Sequence, residues 1–265
     1  MTQVTYRTYP AITAISSIIL KLNYTQPSYR NLLKTFYSLQ STLSAHNASG
    51  YTFPSPTSFT ALLLVHNSAD LSGFNSTLAP LYSFAANETA QGRPVTVSSQ
   101  GYVLPNYMSF FPASPASVNE RAGYNAILGS RLLPMSIWQG SRLDSIVDFI
   151  VQTPFALQIH LSKFISILCH VCFNILRPVA GGKVSEVAGD ATAIHPSWRR
   201  ATHHFILIGG WHTNATFANR NVIRQALTNA TQTLGTLVPD FGCYINEYVL
   251  PGLSACLLSF IKCRC

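Results

Sequence analysis

Charged side chains are scarce in this sequence. Only 10% of its 265 residues are Asp, Glu, Lys or Arg, whereas 48% are hydrophobic. A disordered chain has the opposite balance, so the sequence predicts a folded protein with a sizeable core. Acidic residues are the rarest, nine against 17 basic ones, and the net charge of +8 is scattered along the chain. Because a nucleic-acid footprint needs a concentrated basic patch, we expect no nucleic acid among the partners.

Four familiar sequence features are also missing. No G-x-G-x-x-G or Walker A sequence occurs, which excludes a Rossmann or P-loop nucleotide site. Residues 1–10, MTQVTYRTYP, contain no apolar core of a signal peptide. The apolar stretches Phe164–Leu176 and Leu250–Ile261 are shorter than the ~20 residues that span a bilayer, so we expect no membrane span.

Six N-x-[ST] sequons, which are acceptor sites for N-glycosylation, bear on the cellular location of the protein. So many acceptor sites in a chain of this length favour a secretory pathway over chance occurrence. The predicted glycosylation sites are Asn23, Asn47, Asn75, Asn87, Asn214 and Asn229. Because no signal peptide accompanies them, either the chain is cytosolic or its natural N-terminus lies further upstream.

The cysteines are clustered rather than spread out. Five of the six lie in two short stretches, and only Cys243 lies elsewhere. The clustered ones are Cys169, Cys172, Cys256, Cys263 and Cys265. A disulfide framework would distribute its cysteines through the fold. A zinc site would need four suitably spaced ligands, and these two stretches do not provide them, so we expect no bound metal.

Hydrophobic periodicity predicts a mixture of helices and strands. Apolar side chains recur at helical spacing in residues 28–43, 78–85, 136–151 and 217–237. Strand patterns cover residues 2–9, 12–20, 58–66, 155–160, 183–187 and 205–211. Residues 92–118 are predicted to form a long irregular excursion, whose aromatic side chains either line a pocket or pin it to the core. The pattern predicts an α+β fold, with helices packed on one face of a mostly antiparallel sheet.

The stretch from Gly181 to Glu247 is dense in unusual residues. Its pieces are GGKVS (181–185), HPSWR (195–199) and GCYINE (242–247). Taken in this order, they resemble the C-terminal half of the berberine bridge enzyme-like, FAD-linked oxidoreductases of the vanillyl-alcohol oxidase superfamily. Weaker matches are SGY (49–51), LGSRLLP (128–134) and residues 4–10, which resemble the strand that leaves the family's FAD-binding domain.

The resemblance implies a substrate-binding domain over residues 11–247, preceded by a remnant strand (1–10) of an absent FAD-binding domain. It also implies FAD as cofactor, oxygen and a small alcohol, sugar or secondary metabolite as partners, and secretion of the full-length protein. In the family the Tyr-x-Asn segment passes close to the flavin. Tyr244 and Asn246 are therefore the candidate cofactor-binding residues, through ring packing and an amide hydrogen bond. The structural alternative is a buried tyrosine and a turn asparagine.

Two stretches depart from the family pattern. Residues 161–178 intervene between strands that family members join directly, and residues 248–265 replace the usual C-terminal segment. These stretches hold all five clustered cysteines. We predict that both are non-family sequence, either translated introns or, for 161–178, an ordinary insertion.

No catalytic residue is predicted. Some family members carry a carboxylate base on the strand before a Trp, but residues 205–210 contain no titratable side chain. The sequence therefore predicts an incomplete, inactive fragment of an FAD-dependent oxidoreductase. The alternative is a non-catalytic secreted or membrane-associated binding protein.

Overall fold

The computed structural model describes residues 11–55, 57–106, 108–109, 125–153, 175–178, 185–191 and 195–244, with residues 26 and 175–178 as backbone. The strands are β1 (Ile15–Asn23), β2 (Ser49–Pro54), β3 (Ser58–His66), β4 (Thr96–Leu104), β5 (Ala126–Pro134), β6 (Ile175–Pro178) and β7 (Ala201–Gly210). The helices are α1 (Gln26–Ser38), α2 (Gln40–Ala45), α3 (Ser72–Ala90), α4 (Gly140–Gln152), α5 (Ser197–Arg200) and α6 (Phe217–Leu237), and a 3₁₀ turn, Met135–Trp138, precedes α4.

The seven strands form one sheet in the order β4-β1-β3-β2-β6-β7-β5. Every neighbouring pair is antiparallel. Together with the helices, this arrangement confirms the predicted α+β fold. None of the described helices is long and apolar enough to cross a bilayer.

One face of the sheet is covered by helices and contains the main core. Alternate strand residues such as Leu20, Phe59 and Phe205 are fully buried against α1, α2, α3, α4 and α6. The helices contribute Leu32, Phe36, Leu78, Ile146 and Leu227, all with no exposed surface. Because each buried side chain of this size contributes about 1.5–3 kcal/mol, this layer accounts for most of the hydrophobic stabilisation.

The opposite side of the sheet, which we call the distal face, carries the remaining strand residues. A smaller cluster of Ile15, Leu62 and Leu64 is buried there, with Ile19 and Tyr51 packed against it. The two faces are separated because successive side chains of a strand point to opposite sides.

Strongly periodic segments were predicted best. The strand over 58–66 and the helix over 217–237 are confirmed as β3 and α6. The helix predicted over 28–43 divides at Leu39 into α1 and α2, and the strand predicted over 12–20 is β1, displaced by three residues at each end. The strands predicted over 2–9 and 155–160 lie outside the described residues.

Other parts of the sheet were predicted wrongly or not at all. Residues 92–118 are not irregular throughout, because 96–104 form β4, an edge strand that is largely exposed and therefore has little apolar alternation. The strand predicted over 183–187 is wrong in its described part, since residues 185–187 lie in turns and bends. Strands β2, β5 and β6 were not predicted, and β6 lies at the C-terminal end of the stretch interpreted as non-family sequence.

A buried polar network joins the helical layer to β7. Trp138 Nε1 donates a hydrogen bond to Nδ1 of His203 at 2.9 Å, so the imidazole proton lies on Nε2, which donates to Gln40 Oε1 at 2.8 Å. Gln40 Nε2 in turn donates to the Phe36 carbonyl at 3.3 Å. Burial lowers the pKa of His203 to about 3, because the charged ring would lose its hydration. His203 is therefore neutral at physiological pH.

We predict that the free energy of unfolding falls by about 2 kcal/mol between pH 7.5 and 5.0 because of His203. The unfolded chain takes up a proton near pH 6.5, whereas the folded chain resists it down to about pH 3, so acidification favours unfolding. Urea titrations across this range test the prediction. His203→Gln should reduce the dependence of the unfolding free energy on pH, whereas His66→Gln, at an exposed site, should not. An unchanged pH dependence in His203→Gln would contradict the prediction.

Two glycines with positive φ differ in their surroundings. At Gly50 in β2, φ is +151° and an added Cβ would lie 1.8 Å from the Leu62 carbonyl oxygen. At Gly92, φ is +76° and no atom lies within 4 Å of the added Cβ. Gly92 ends α3 with the two hydrogen bonds of a Schellman motif, from Gly92 N–H to the Thr89 carbonyl and from Arg93 N–H to the Glu88 carbonyl. Of these two glycines, only Gly50 is constrained by backbone contact as well as by conformation.

We predict that Gly50→Ala lowers the free energy of unfolding by at least about 3 kcal/mol, because the strand β2 must separate from β3. Gly92→Ala should cost about 1 kcal/mol, the conformational penalty alone. Urea denaturation of both variants measures the difference. Equal losses in the two variants would contradict the contact with Leu62.

Candidate functional site

Three aromatic side chains meet on the distal face, and we call them the aromatic corner: Trp198, His204 and Tyr244. The His204 ring lies edge-to-face with Trp198 at 5.7 Å and with Tyr244 at 6.1 Å between centroids. The Trp198 and Tyr244 rings are also edge-to-face, at 6.4 Å. Such geometry is favourable between aromatic rings. His204 is buried, Trp198 is half-buried, and Tyr244 is 40% exposed, so the cluster presents Tyr244 at the surface.

His203 and His204 are separated by the alternation of β7. His203 points into the helical layer, where it bonds Trp138 and Gln40. His204 is paired in register with Leu132 of β5 and reaches the aromatic corner. The predicted strand over 205–211 began too late, since β7 starts at Ala201. The strand therefore does carry a titratable side chain on the distal face, which the sequence pattern had not revealed.

Buried serines hold the 240–244 segment against the sheet. Ser197 Oγ donates to the Asp240 carbonyl and accepts from Gly242 N–H, both at 3.4 Å. Ser130 Oγ accepts from Tyr244 N–H at 3.3 Å. Both serines have no exposed surface. The backbone of Leu132 adds a hydrogen bond to the Gly242 carbonyl at 2.9 Å, so this segment runs beside the outer edge of β5.

The same segment has two further contacts. The Arg200 guanidinium lies 4.9 Å from the centre of the Phe241 ring, a cation–π arrangement. Cys243 is buried and disulfide-bonded, which the clustered cysteine pattern had not led us to expect. The other five cysteines lie outside the described residues.

Carboxylates are absent from the strands that the structure describes. None of β1–β7 contains Asp or Glu. Asp144 pairs with Arg30 at 3.0 Å and with Lys34 at 2.8 Å, and Glu88 pairs with Arg93 at 2.8 Å, all in the helical layer. Hydrogen bonds from Arg93 and then Ser28 lower the pKa of Glu88 to about 2. On the distal face, the described strands therefore contribute imidazole and phenol groups and no carboxylate.

The predicted site residues are only partly within the described chain. Tyr244 lies in the aromatic corner and is 40% exposed, and its role in cofactor binding stays a prediction. Asn246 lies outside the described residues. All six sequon asparagines are exposed, as glycosylation requires, and their modification stays a prediction. In the described ranges no group of three or more His, Cys, Asp or Glu side chains is placed to hold a metal ion.

No family profile matches the chain, but individual relatives do. It is 25% identical over 269 residues to an uncharacterized FAD-linked oxidoreductase of Arthroderma benhamiae, with 93% of this chain covering 42% of the relative. A second protein of that name and organism is 25% identical over 254 residues, with 93% and 40% covered. The chain thus spans about two fifths of the length of these curated relatives.

Solved structures extend the similarity. The VAO-type flavoprotein MtVAO713 from Myceliophthora thermophila C1 superimposes with a TM-score of 0.71 at 17% identity, over 96% of this chain and 46% of that one. The chain shares its fold with VAO-type flavoproteins. Physcomitrella patens BBE-like 1 superimposes with a TM-score of 0.62 at 12% identity, with 96% and 52% covered. A glucooligosaccharide oxidase of Acremonium strictum gives 0.61 at 13% identity, with 92% and 48% covered.

The described residues suit one part of an FAD molecule better than another. The aromatic corner offers ring edges and a half-exposed phenol, which are appropriate to a flat isoalloxazine ring. A glycine pair, Gly209-Gly210, ends β7, but Gly209 is required for packing, since an added Cβ would lie 2.9 Å from Ile223 Cγ2. Within the described ranges no strand-to-helix junction has the glycine-rich sequence of a diphosphate cradle. Among the residues that the structure describes, the fit therefore extends to the flavin ring and includes no diphosphate site.

We predict that Ser130→Ala and Ser197→Ala each speed amide hydrogen exchange in the 240–244 segment by about 5-fold, as expected for the loss of one hydrogen bond of ~1 kcal/mol. The Tyr244 amide should exchange faster in Ser130→Ala, and the Gly242 amide should exchange faster in Ser197→Ala. Ser145→Ala, on the exposed surface of α4, is the matched control. Unchanged exchange in both variants would show that the serines do not hold the segment.

Proposed function

We propose that this chain forms the substrate-facing part of a berberine bridge enzyme-like FAD-linked oxidoreductase. The observation that carries the proposal is the aromatic corner on the distal face, in a chain that aligns over 93% of its length with 42% of an FAD-linked relative. The remainder of such a protein would hold most of the FAD. A purely non-catalytic binding protein is less favoured, because the relatives and structural neighbours are flavoproteins.

The chain's residues would bind and orient the reactants. When bound, FAD supplies the hydride acceptor for oxidation of an alcohol group. Tyr244 offers its exposed ring to the flavin or the substrate, and Trp198 and His204 hold that ring from two sides. Asn246, two residues further along the chain, is proposed to hydrogen-bond the flavin. We assign proton transfer to none of these residues.

The proposed substrate is a small alcohol, sugar or secondary metabolite, with oxygen as the final electron acceptor. Support comes from the structural neighbours, which include a glucooligosaccharide oxidase and a xylooligosaccharide oxidase solved in complex with xylobiose. The absence of carboxylates from the described strands is compatible with an uncharged substrate of this kind.

We also propose that the protein passes through a secretory pathway and is glycosylated. Two observations support this. The side chains of all six sequon asparagines are exposed, and Cys243 is disulfide-bonded, a state that is typical of oxidising compartments.

The chain on its own is proposed to be an inactive fragment. Residues 1–10 are assigned to the boundary of an FAD-binding domain, 11–247 to the substrate-binding domain, and 161–178 and 248–265 to non-family sequence. Residues 175–178 nevertheless pair with both β2 and β7, so removal of 161–178 as a block should weaken the sheet.

We predict that the purified chain has no visible flavin absorption, because it lacks a diphosphate site within its described residues. Joined to the FAD-binding half of a relative, it should become yellow, and Tyr244→Ala should shift the flavin bands more than Tyr244→Phe, which keeps the ring. Absorption spectroscopy makes both measurements. Bound flavin in the chain alone would overturn the fragment assignment, and a colourless joined protein would overturn the function.

A further inference from the structure

The two edges of the sheet differ in how they are covered. At one edge the 240–244 segment runs beside β5, through the hydrogen bond between Leu132 N–H and the Gly242 carbonyl. At the other edge lies β4, which among the described strands pairs only with β1. Four consecutive residues of β4, 98–101, are exposed. One of them is Gly101, and since glycine has no side chain, its exposed surface is backbone.

Two hydrogen bonds at the ends of β1 show which backbone groups of β4 point outward. Tyr24 N–H donates to the Thr57 carbonyl, and Asn67 N–H donates to the Ala14 carbonyl. Both pairs continue the β1–β3 register, so even-numbered residues of β1 bond to β3 and odd-numbered ones bond to β4. These odd-numbered residues pair with the even-numbered residues of β4. The remaining residues of β4 therefore direct their N–H and C=O groups away from the sheet, and they are Val97, Ser99, Gly101 and Val103.

Strand β4 has none of the features that usually protect an edge strand. It is nine residues long, pairs with β1 without a bulge, and contains neither proline nor a charged residue. It also presents apolar side chains to solvent. Val103 is 47% exposed, and Met108, four residues beyond the strand, is 75% exposed. An edge of this kind is a template for a further strand.

The sequence of β4 is suited to pairing with a second copy of itself. In an antiparallel pairing centred on Gln100, Val97 of each strand faces Val103 of the other, and Ser99 faces Gly101. Every outward-directed residue then meets an outward-directed residue, so about eight hydrogen bonds form between the two strands. Val97 packs against the main core, and the exposed Val103 side chain would gain the partner's Val97 as an apolar neighbour.

We propose that a second copy of this chain pairs with the free edge of β4 about a two-fold axis at Gln100, which gives a homodimer with one continuous sheet. The axis is perpendicular to the sheet, so both helical layers lie on one side of it. The aromatic corner, beside β7 near the opposite edge, stays accessible in each copy. Because two paired strands make a small interface, we expect a dissociation constant on the order of 10 µM. The proposal does not rest on the proposed function.

The first test measures the mass of the purified full chain by sedimentation velocity from roughly 1 to 200 µM. We expect a saturable equilibrium between monomer and dimer. Ser99→Pro should raise the dissociation constant at least about 10-fold, since each strand loses one hydrogen bond and the proline ring crowds the partner. Val103→Lys should raise it about 3- to 10-fold through lost packing. Val222→Lys, at an apolar site on α6 that is 68% exposed, is the matched control and should change nothing.

Thermal unfolding shows whether these variants keep their fold. Ser99→Pro should leave the unfolding temperature of the monomer nearly unchanged, because the Ser99 N–H points away from the sheet and proline is tolerated at such edge positions. Ser98→Pro should lower it, because Ser98 is hydrogen-bonded to Lys21 of β1. Equal unfolding temperatures for these two proline variants would contradict the assigned direction of the edge.

A cysteine at the axis tests the register. In the proposed pairing the two Gln100 residues face each other as a non-hydrogen-bonded pair with Cα atoms about 4.5 Å apart, a separation that a disulfide can bridge. Mild oxidation of Gln100→Cys should therefore give a covalent dimer on a non-reducing gel. Ser98→Cys, which would face the partner's Tyr102, should not. The unchanged chain, oxidised in parallel, gives the background from its own six cysteines.

Several results would overturn the proposal. One is a monomer over the whole concentration range, and another is growth of aggregates without saturation at a dimer. A dimer unaffected by both Ser99→Pro and Val103→Lys would place the contact elsewhere in the chain. Equal cross-linking of Ser98→Cys and Gln100→Cys would refute the register. None of these results depends on flavin binding, so the proposed function stands or fails separately.

Discussion

The alternation of side chains across an antiparallel register is the constraint on which the rest of this structure depends. Seven paired strands divide their residues between a face buried under helices and a distal face. A slip of one residue in β7 would expose the His203 side to the distal face and drive His204 into the helical layer. Register therefore determines both which residues form the core and which can meet a ligand.

The core and the candidate site are linked through neighbouring positions of one strand. His203 is neutral and hydrogen-bonded on both ring nitrogens, to Trp138 and Gln40. These contacts tie β7 to α2 and to the 3₁₀ turn at the position next to His204. An unsatisfied buried group would be costly there, so this network favours a single placement of β7. Because His204 is the next residue of β7, the same network also fixes the position of the aromatic corner.

The segments that could be predicted were those in which apolar residues recur with the period of a helix or form the apolar run of a buried strand. Helix α6 has a 3.6-residue apolar pattern and an N-cap threonine, Thr216, whose hydroxyl accepts from Asn219 N–H. Strand β3 has a run of apolar residues, Ala61 to Leu64, because it is an inner strand whose side chains are buried there on both faces of the sheet. Strand β4 was not predicted because it is an exposed edge strand, and its sequence therefore lacks the apolar alternation of a half-buried strand. Strands β2 and β6 are short, with six and four residues, and β6 pairs with β2, which lies far away in the sequence.

The sequence by itself determined the mixed α+β class, the helical layer, and the motif order that resembles FAD-linked oxidoreductases. Those features depend on local periodicity and on residues close together in the chain. The tertiary structure alone decided that His204 rather than His203 reaches the distal face. Side-chain direction in a strand depends on where the strand begins and with which residue it pairs, and long-range hydrogen bonds fix both.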